Sequence, residues 1–228
     1  MPPMGPRMQQ VMEQLLSASI GIEIIYSFVI IVCSLMVYFG TKELYELSSH
    51  KGIKYFRLAF LFFALAYFFR SFIKFLVYFF GVSAIRDAPE IIGTLTLFVF
   101  IYASSMAVFY LFYSVICKKW KNKIYLFHVI AVILSLIILF YRNSLAYLLI
   151  NILLFLVLAI GIYLSHLSSK GKNKNKFFIV YILLFAFWIL NVVDILLPDV
   201  IGAYQLTLYL ISLGIFMLIL FKVLKRVG

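Results

Sequence analysis

Cysteine, histidine and acidic residues are all scarce in this chain, and each scarcity removes a class of function. Only two cysteines occur in 228 residues. Cys33 lies within an apolar run and Cys117 at the inner edge of another, so neither a disulfide scaffold nor a Cys-rich zinc site is expected. His50, His128 and His166 fall on separate segments without the His-Glu spacing of a helical zinc site. No Gly-x-Ser-x-Gly elbow, phosphate-binding glycine loop or paired catalytic aspartates appears. The expectation is therefore no enzyme, no metal and no cofactor. Charged residues make up only 12% of the chain, about half the share that soluble domains use to cover their surfaces.

What is present is apolar. Hydrophobic residues reach 66% and aromatics 19%, and the mean hydropathy is +1.13. This composition predicts an all-α, polytopic membrane protein. A bilayer core of about 30 Å takes roughly 20 helical residues to cross. Seven segments qualify, near 20–40, 56–80, 93–117, 124–141, 144–166, 177–197 and 201–222. The fourth and fifth are separated only by Arg142-Asn143-Ser144, and their joint length is too great for one crossing, so two helices and a tight turn are expected. The reading is a seven-helix bundle over 20–222, preceded by an extracellular or interfacial segment at 1–19 and followed by a basic cytoplasmic tail at 223–228. Val11, Met12, Leu15 and Leu16 alternate with Gln and Glu, which predicts a short interfacial helix before the first span. No secretory signal peptide is evident, and the first span is expected to be retained.

The formal net charge of +12 would point to nucleic acid in a soluble protein, but its location gives it another meaning. Lys42, Lys51, Lys54 and Arg57, then Lys118, Lys119, Lys121 and Lys123, then Lys170, Lys172, Lys174 and Lys176, and finally Lys222, Lys225 and Arg226 all fall on one side of the spans. Arg7, Arg86 and Arg142 fall on the other. Cytoplasmic loops retain positive charge, so the amino terminus is expected outside and the carboxyl terminus inside, in the cell membrane. Membrane lipids are the expected partners of these lysines, and no nucleic acid is needed. The loops LSSHKGIKYF and LSSKGKNKNKFF resemble each other and each leads into a helix with a Phe-Ala pair, Phe63-Ala64 and Phe185-Ala186. A three-one-three internal repeat is thus one reading, and compositional similarity of basic loops is the other.

Within YFFRSFIKFL, residues 67 to 76, an arginine and a lysine interrupt an apolar span. Counted from Phe56, Arg70 lies about 21 Å along its helix, in the outer third of the membrane. Tyr67, Arg70, Ser71 and Lys74 follow helical spacing and are expected on one polar stripe. Other spans carry polar groups at the same end: Glu23, Tyr26 and Ser27; Asn151; Trp188, Asn191 and Asp194; Gln205, Thr207 and Tyr209. A charge at the bilayer centre costs roughly 2.5–3.5 kcal/mol on insertion scales, so these groups are expected to converge rather than face lipid. The candidate network is Arg70, Lys74, Glu23 and Asp194, joined by Tyr67, Ser71, Asn151, Trp188 and Asn191. It serves either helix packing alone or an outward pocket for a small polar or anionic ligand or a lipid headgroup.

Seven helices in this orientation resemble the plan of the microbial rhodopsins, but 201–221 contains no lysine to hold a retinal Schiff base. The size and the three-one-three plan resemble the small sugar-transporter fold, whose proline-glutamine signature is missing here. Three functions are consistent with the sequence: a sensor or receptor-like module acting on a separate cytoplasmic or membrane protein, a small-solute transporter or channel, and a structural subunit. Polar residues confined largely to one half of the spans favour the sensor.

Overall fold

The structure, a computed structural model, describes residues 6–87, 90–117, 120, 123–141, 144–168, 178–196 and 202–225. For 6–20, 76–87 and some further positions, Lys74 and Asp194 among them, it describes the helix alone. Among the described residues eight helices follow in order: α1 (Pro6–Gly40), α2 (Lys42–Ser48), α3 (Lys51–Asp87), α4 (Glu90–Ile116), α5 (Ile124–Tyr141), α6 (Ser144–Ser168), α7 (Phe178–Leu196) and α8 (Gly202–Leu224). No strand occurs among the described residues.

Among the described residues five stretches are long and apolar enough to cross a membrane: Gly21–Ser48, Lys51–Phe72, Gly93–Ile116, Ile124–Tyr141 and Tyr204–Leu224. Two shorter apolar stretches, Leu148–Leu164 in α6 and Phe178–Val193 in α7, accompany them. The exposed faces are themselves apolar, as with Ile25 and Phe28 on α1, Ile133 and Phe140 on α5, and Leu149 and Leu156 on α6. An all-helical chain that is greasy outside as well as inside is an integral membrane protein, because water would penalise that surface and lipid does not.

The helices depart from the expected spans mainly in length. Residues 6–19 do not form a separate element but continue α1, which runs unbroken for 35 residues. Hydropathy marks where lipid begins and says nothing about where helical hydrogen bonding stops, so an amphipathic lead-in and a span can share one helix. α3 likewise extends from Lys51 to Asp87, well beyond 56–80 on both sides. The short α2 occupies what reads as a polar loop. It ends at Ser49, whose left-handed φ of 49° turns the chain into α3.

α1, α3, α4, α6, α7 and α8 form a closed ring, each packed on its neighbours in that order, with α8 returning to α1. α5 stands outside the ring against α4 and α6. The helix ends that carry Lys42, Lys51, Lys54, Lys123 and Lys222 gather at one end of the bundle, here termed the basic end. There Arg57 Nε donates to the Tyr38 carbonyl at 3.0 Å and its guanidinium lies 4.9 Å from the Tyr38 ring. Gly52 lies so close to α4 that a Cβ would come within 2.8 Å of the Ser114 carbonyl oxygen. Ser114 in turn shares a hydrogen bond of 2.6 Å with Tyr181 of α7.

Aromatic side chains fill the middle of the ring. Phe60 of α3 meets Phe216 of α8 at 6.2 Å between ring centroids, Phe216 meets Phe187 of α7 at 5.0 Å, and Phe63 meets Phe187 at 6.5 Å. All four rings are buried. Edge-to-face packing of this kind adds about 0.5–1.5 kcal/mol per pair beyond simple burial. It also makes a floor without polar side chains beneath the site described next.

Candidate functional site

Four helices bring polar groups together at the end opposite the lysines. On α3, Tyr67 and Arg70 are three residues apart and so share a face. On α1, Glu23 and Tyr26 do the same, and α7 contributes Asn191. Arg70 donates to Glu23 Oε1 from Nη2 at 3.0 Å and from Nε at 3.2 Å. The Glu23 side chain is 4% exposed and the Arg70 side chain 18%, so the pair is held mostly away from solvent. Asn191 Oδ1 accepts from the Tyr67 hydroxyl at 2.7 Å and more weakly from Arg70 Nη1 at 3.4 Å. Its own Nδ2 donates to the Phe187 carbonyl at 2.9 Å, which fixes the amide orientation.

The cluster continues sideways through aromatic rings. The hydroxyls of Tyr26 and Tyr67 lie 3.4 Å apart. Tyr26 stacks on Tyr209 of α8 with centroids 4.6 Å apart and planes 14° from parallel. Gln205, one turn before Tyr209, donates to that phenol at 2.8 Å. A continuous chain of contacts thus runs from α8 through α1 and α3 to α7, so a displacement of any one of these helices at this end is felt by the other three.

Beside the ion pair is a small cavity, with about 40 Å³ of space for the centres of water-sized spheres. Its walls come from α3 (Phe63, Tyr67, Arg70), α4 (Phe100, Ser104), α6 (Asn151) and α7 (Phe187, Trp188, Asn191). Such a space admits a few waters or one small ion. In this conformation it is too small for a sugar, an amino acid or a lipid headgroup.

Six of the nine residues expected from the sequence meet here: Glu23, Tyr67, Arg70, Asn151, Trp188 and Asn191. Ser71 stands apart from them. It bonds its own helix at the Phe68 carbonyl, 3.0 Å away, and borders an apolar groove between Ile24, Phe28, Phe68 and Phe72. The reason is angular: one step along an α-helix turns the side chain by about 100°, which carries position 71 off the face of Arg70. The side chains of Lys74 and Asp194 lie outside the described residues. Ser104 of α4 is not among the polar groups that the sequence places at this end. Its only signal is the pair Ser104-Ser105 in the middle of an apolar run.

A second polar cluster joins α5 to α4. His128 meets the Tyr102 hydroxyl through Nδ1 at 2.8 Å and the Tyr110 hydroxyl through Nε2 at 3.1 Å. Both ring nitrogens are engaged, so His128 acts as a clamp between two phenols. Among the described residues no group of three or more His, Cys, Asp or Glu side chains is arranged to hold a metal ion.

The sequence is 28% identical over 215 residues to an uncharacterized protein of Archaeoglobus fulgidus, an alignment that takes in 91% of this chain and 93% of that one. No protein-family model matches the chain, and no solved structure matches it.

Proposed function

We propose that the chain is a seven-span sensor or receptor-like membrane protein, amino terminus outside and carboxyl terminus cytoplasmic, whose polar site near Arg70 binds a small polar or anionic ligand. α1 and α3 to α8 are its seven spans, and α2 lies along the inner surface. The observation that carries this reading is the Arg70–Glu23 pair, tied through Tyr67 and Asn191 to α7 and set above the floor of Phe60, Phe63, Phe187 and Phe216. A charged, hydrogen-bonded group over a dry aromatic plug suits a binding site that shifts helices rather than a conduit, which needs polar groups along its length. Output passes to a separate cytoplasmic or membrane protein through the basic end, where Arg57 and α2 lie.

A small-solute transporter is the second reading, and one observation favours it. In the ring, α1-α3-α4 is followed by α6-α7-α8 with α5 outside, which is the arrangement that a three-one-three repeat and rocking halves would use.

Sided labelling tests the choice. Cys33 and Cys117 are replaced, and single cysteines are placed at Ser104 beside the cavity, at Ala64 near the floor and at Ser114 near the basic end. With a membrane-impermeant thiol reagent, the sensor reading expects position 104 to label from outside only and position 64 to stay silent. Position 114 labels, if at all, only from inside. Labelling of position 64 from both sides would establish a through path and replace the sensor with a transporter.

A further inference from the structure

Trp188 supplies a detail that the ion pair does not account for. The indole is 7% exposed and lines the cavity beside Arg70. Its Nε1 is buried with no hydrogen-bond partner among the described residues. A buried donor left without an acceptor costs roughly 1–3 kcal/mol, and such groups are rare unless something fills the gap. The charge of the wall is also one-sided. Arg70 lines the cavity, whereas Glu23, which neutralises it, does not, and no described carboxylate is among the lining residues. The remaining walls include Phe63, Phe100 and Phe187, and the edges of such rings carry partial positive charge.

We infer that the cavity is a binding site for a monatomic anion of halide size, held by the Trp188 indole N–H and the Arg70 guanidinium. The inference rests on the polar-site reading above and narrows its ligand. Size admits the anion: a cavity of about 40 Å³ has room for one halide beside its walls. Chemistry points the same way, because the indole N–H can only donate and Arg70 is the charged side chain among the described lining residues.

The test uses the full chain in lipid nanodiscs. There are two tryptophans, so Trp120→Phe leaves Trp188 as the single emitter. Bromide is titrated against gluconate at constant ionic strength. The expected result is quenching of Trp188 emission that saturates, together with a rise in melting temperature that Trp188→Phe abolishes. Quenching that increases linearly without a plateau, or an equal thermal shift in Trp188→Phe, overturns the site. The paired change Glu23→Gln with Arg70→Gln removes both charges of the pair together, and it is expected to abolish the plateau. A plateau unchanged in that variant places the anion elsewhere and overturns the assignment. Failure here is separable from failure of the sensor reading. Silence toward bromide with Ser104→Cys still labelled from outside only removes the halide and leaves the polar site. Saturable bromide binding with a labelled Ala64→Cys on both sides removes the sensor and leaves the halide.

Discussion

Arg70 and Glu23 join α3 to α1 through a single carboxylate oxygen, Oε1, which receives both Nη2 at 3.0 Å and Nε at 3.2 Å. Charge-assisted bonds of this kind are strong where water is scarce, and the geometry fixes the rotation of α1 against α3. The same rotation stacks Tyr26 on Tyr209 and aligns Tyr67 with Asn191. The pair therefore sets the register of the whole Arg70 end.

A double-mutant cycle measures that coupling. Arg70→Leu or Glu23→Leu alone breaks a mostly buried ion pair and is expected to cost about 3–5 kcal/mol. The double variant should recover part of this, giving a coupling of about 1–3 kcal/mol between the sites. Reversible unfolding in detergent reports both values. Additivity to within about 0.5 kcal/mol would show that the two side chains act independently.

Much of this end was legible in the sequence, and the limits have physical causes. The polar groups fall at matching heights on their helices because apolar runs and helical rise are local properties, and Arg70, Glu23, Tyr67 and Asn191 could be grouped on that basis. Which helices adjoin is not local. The seating of α5 outside the ring, and with it the His128 clamp, depends on tertiary packing that periodicity does not encode. The aromatic floor was hidden for a related reason: Phe60 and Phe216 look the same in sequence as the lipid-facing Phe28 and Phe221. α2 was missed because its seven residues carry one lysine and two glutamates rather than an apolar signal, with Lys42 and Glu46 paired at 3.7 Å across one turn.

Gly52 and Gly214 should respond oppositely to alanine. A Cβ at 52 would meet the Ser114 carbonyl at 2.8 Å and the His50 ring at 3.0 Å, whereas nothing lies within 4 Å of one at 214. Gly52→Ala is expected to cost about 1–3 kcal/mol through displacement of α3 from α4. Gly214→Ala should be neutral or stabilising by up to about 1 kcal/mol, since alanine suits a helix interior better. Thermal melts of the two variants side by side check this. A destabilised Gly214→Ala would mean that another surface packs on α8 there.

The His128 clamp predicts a local rather than a global effect. α5 has neighbours only in α4 and α6 among the described residues, so removing its hydrogen bonds should loosen α5 while the ring remains closed. Tyr102→Phe and Tyr110→Phe should each cost about 1 kcal/mol, in the range of an ordinary hydrogen bond. Hydrogen exchange should rise in α5 and remain unchanged in α3 and α7. A rise spread evenly across all helices would assign His128 to the shared core.

The aromatic floor makes the strongest claim about transport, and it is tested by removing it. Phe216 is fully buried and touches both Phe60 and Phe187. Truncation to alanine deletes the ring at the point where α3, α7 and α8 meet beneath the cavity, at an expected cost of about 3–5 kcal/mol. If the floor is what separates the Arg70 end from the basic end, Phe216→Ala should also admit water. In proteoliposomes the wild type should hold an anion gradient and the variant should dissipate it faster, with Ala64→Cys becoming reactive to an impermeant thiol reagent in that background. Equal leakage in both proteins would mean that Phe216 only packs, and that the barrier lies with Tyr113, Tyr181 and Ser114 at the basic end. A gradient that the wild type itself dissipates would instead make the bundle a conducting protein, with the cavity beside Arg70 as a waypoint on its path.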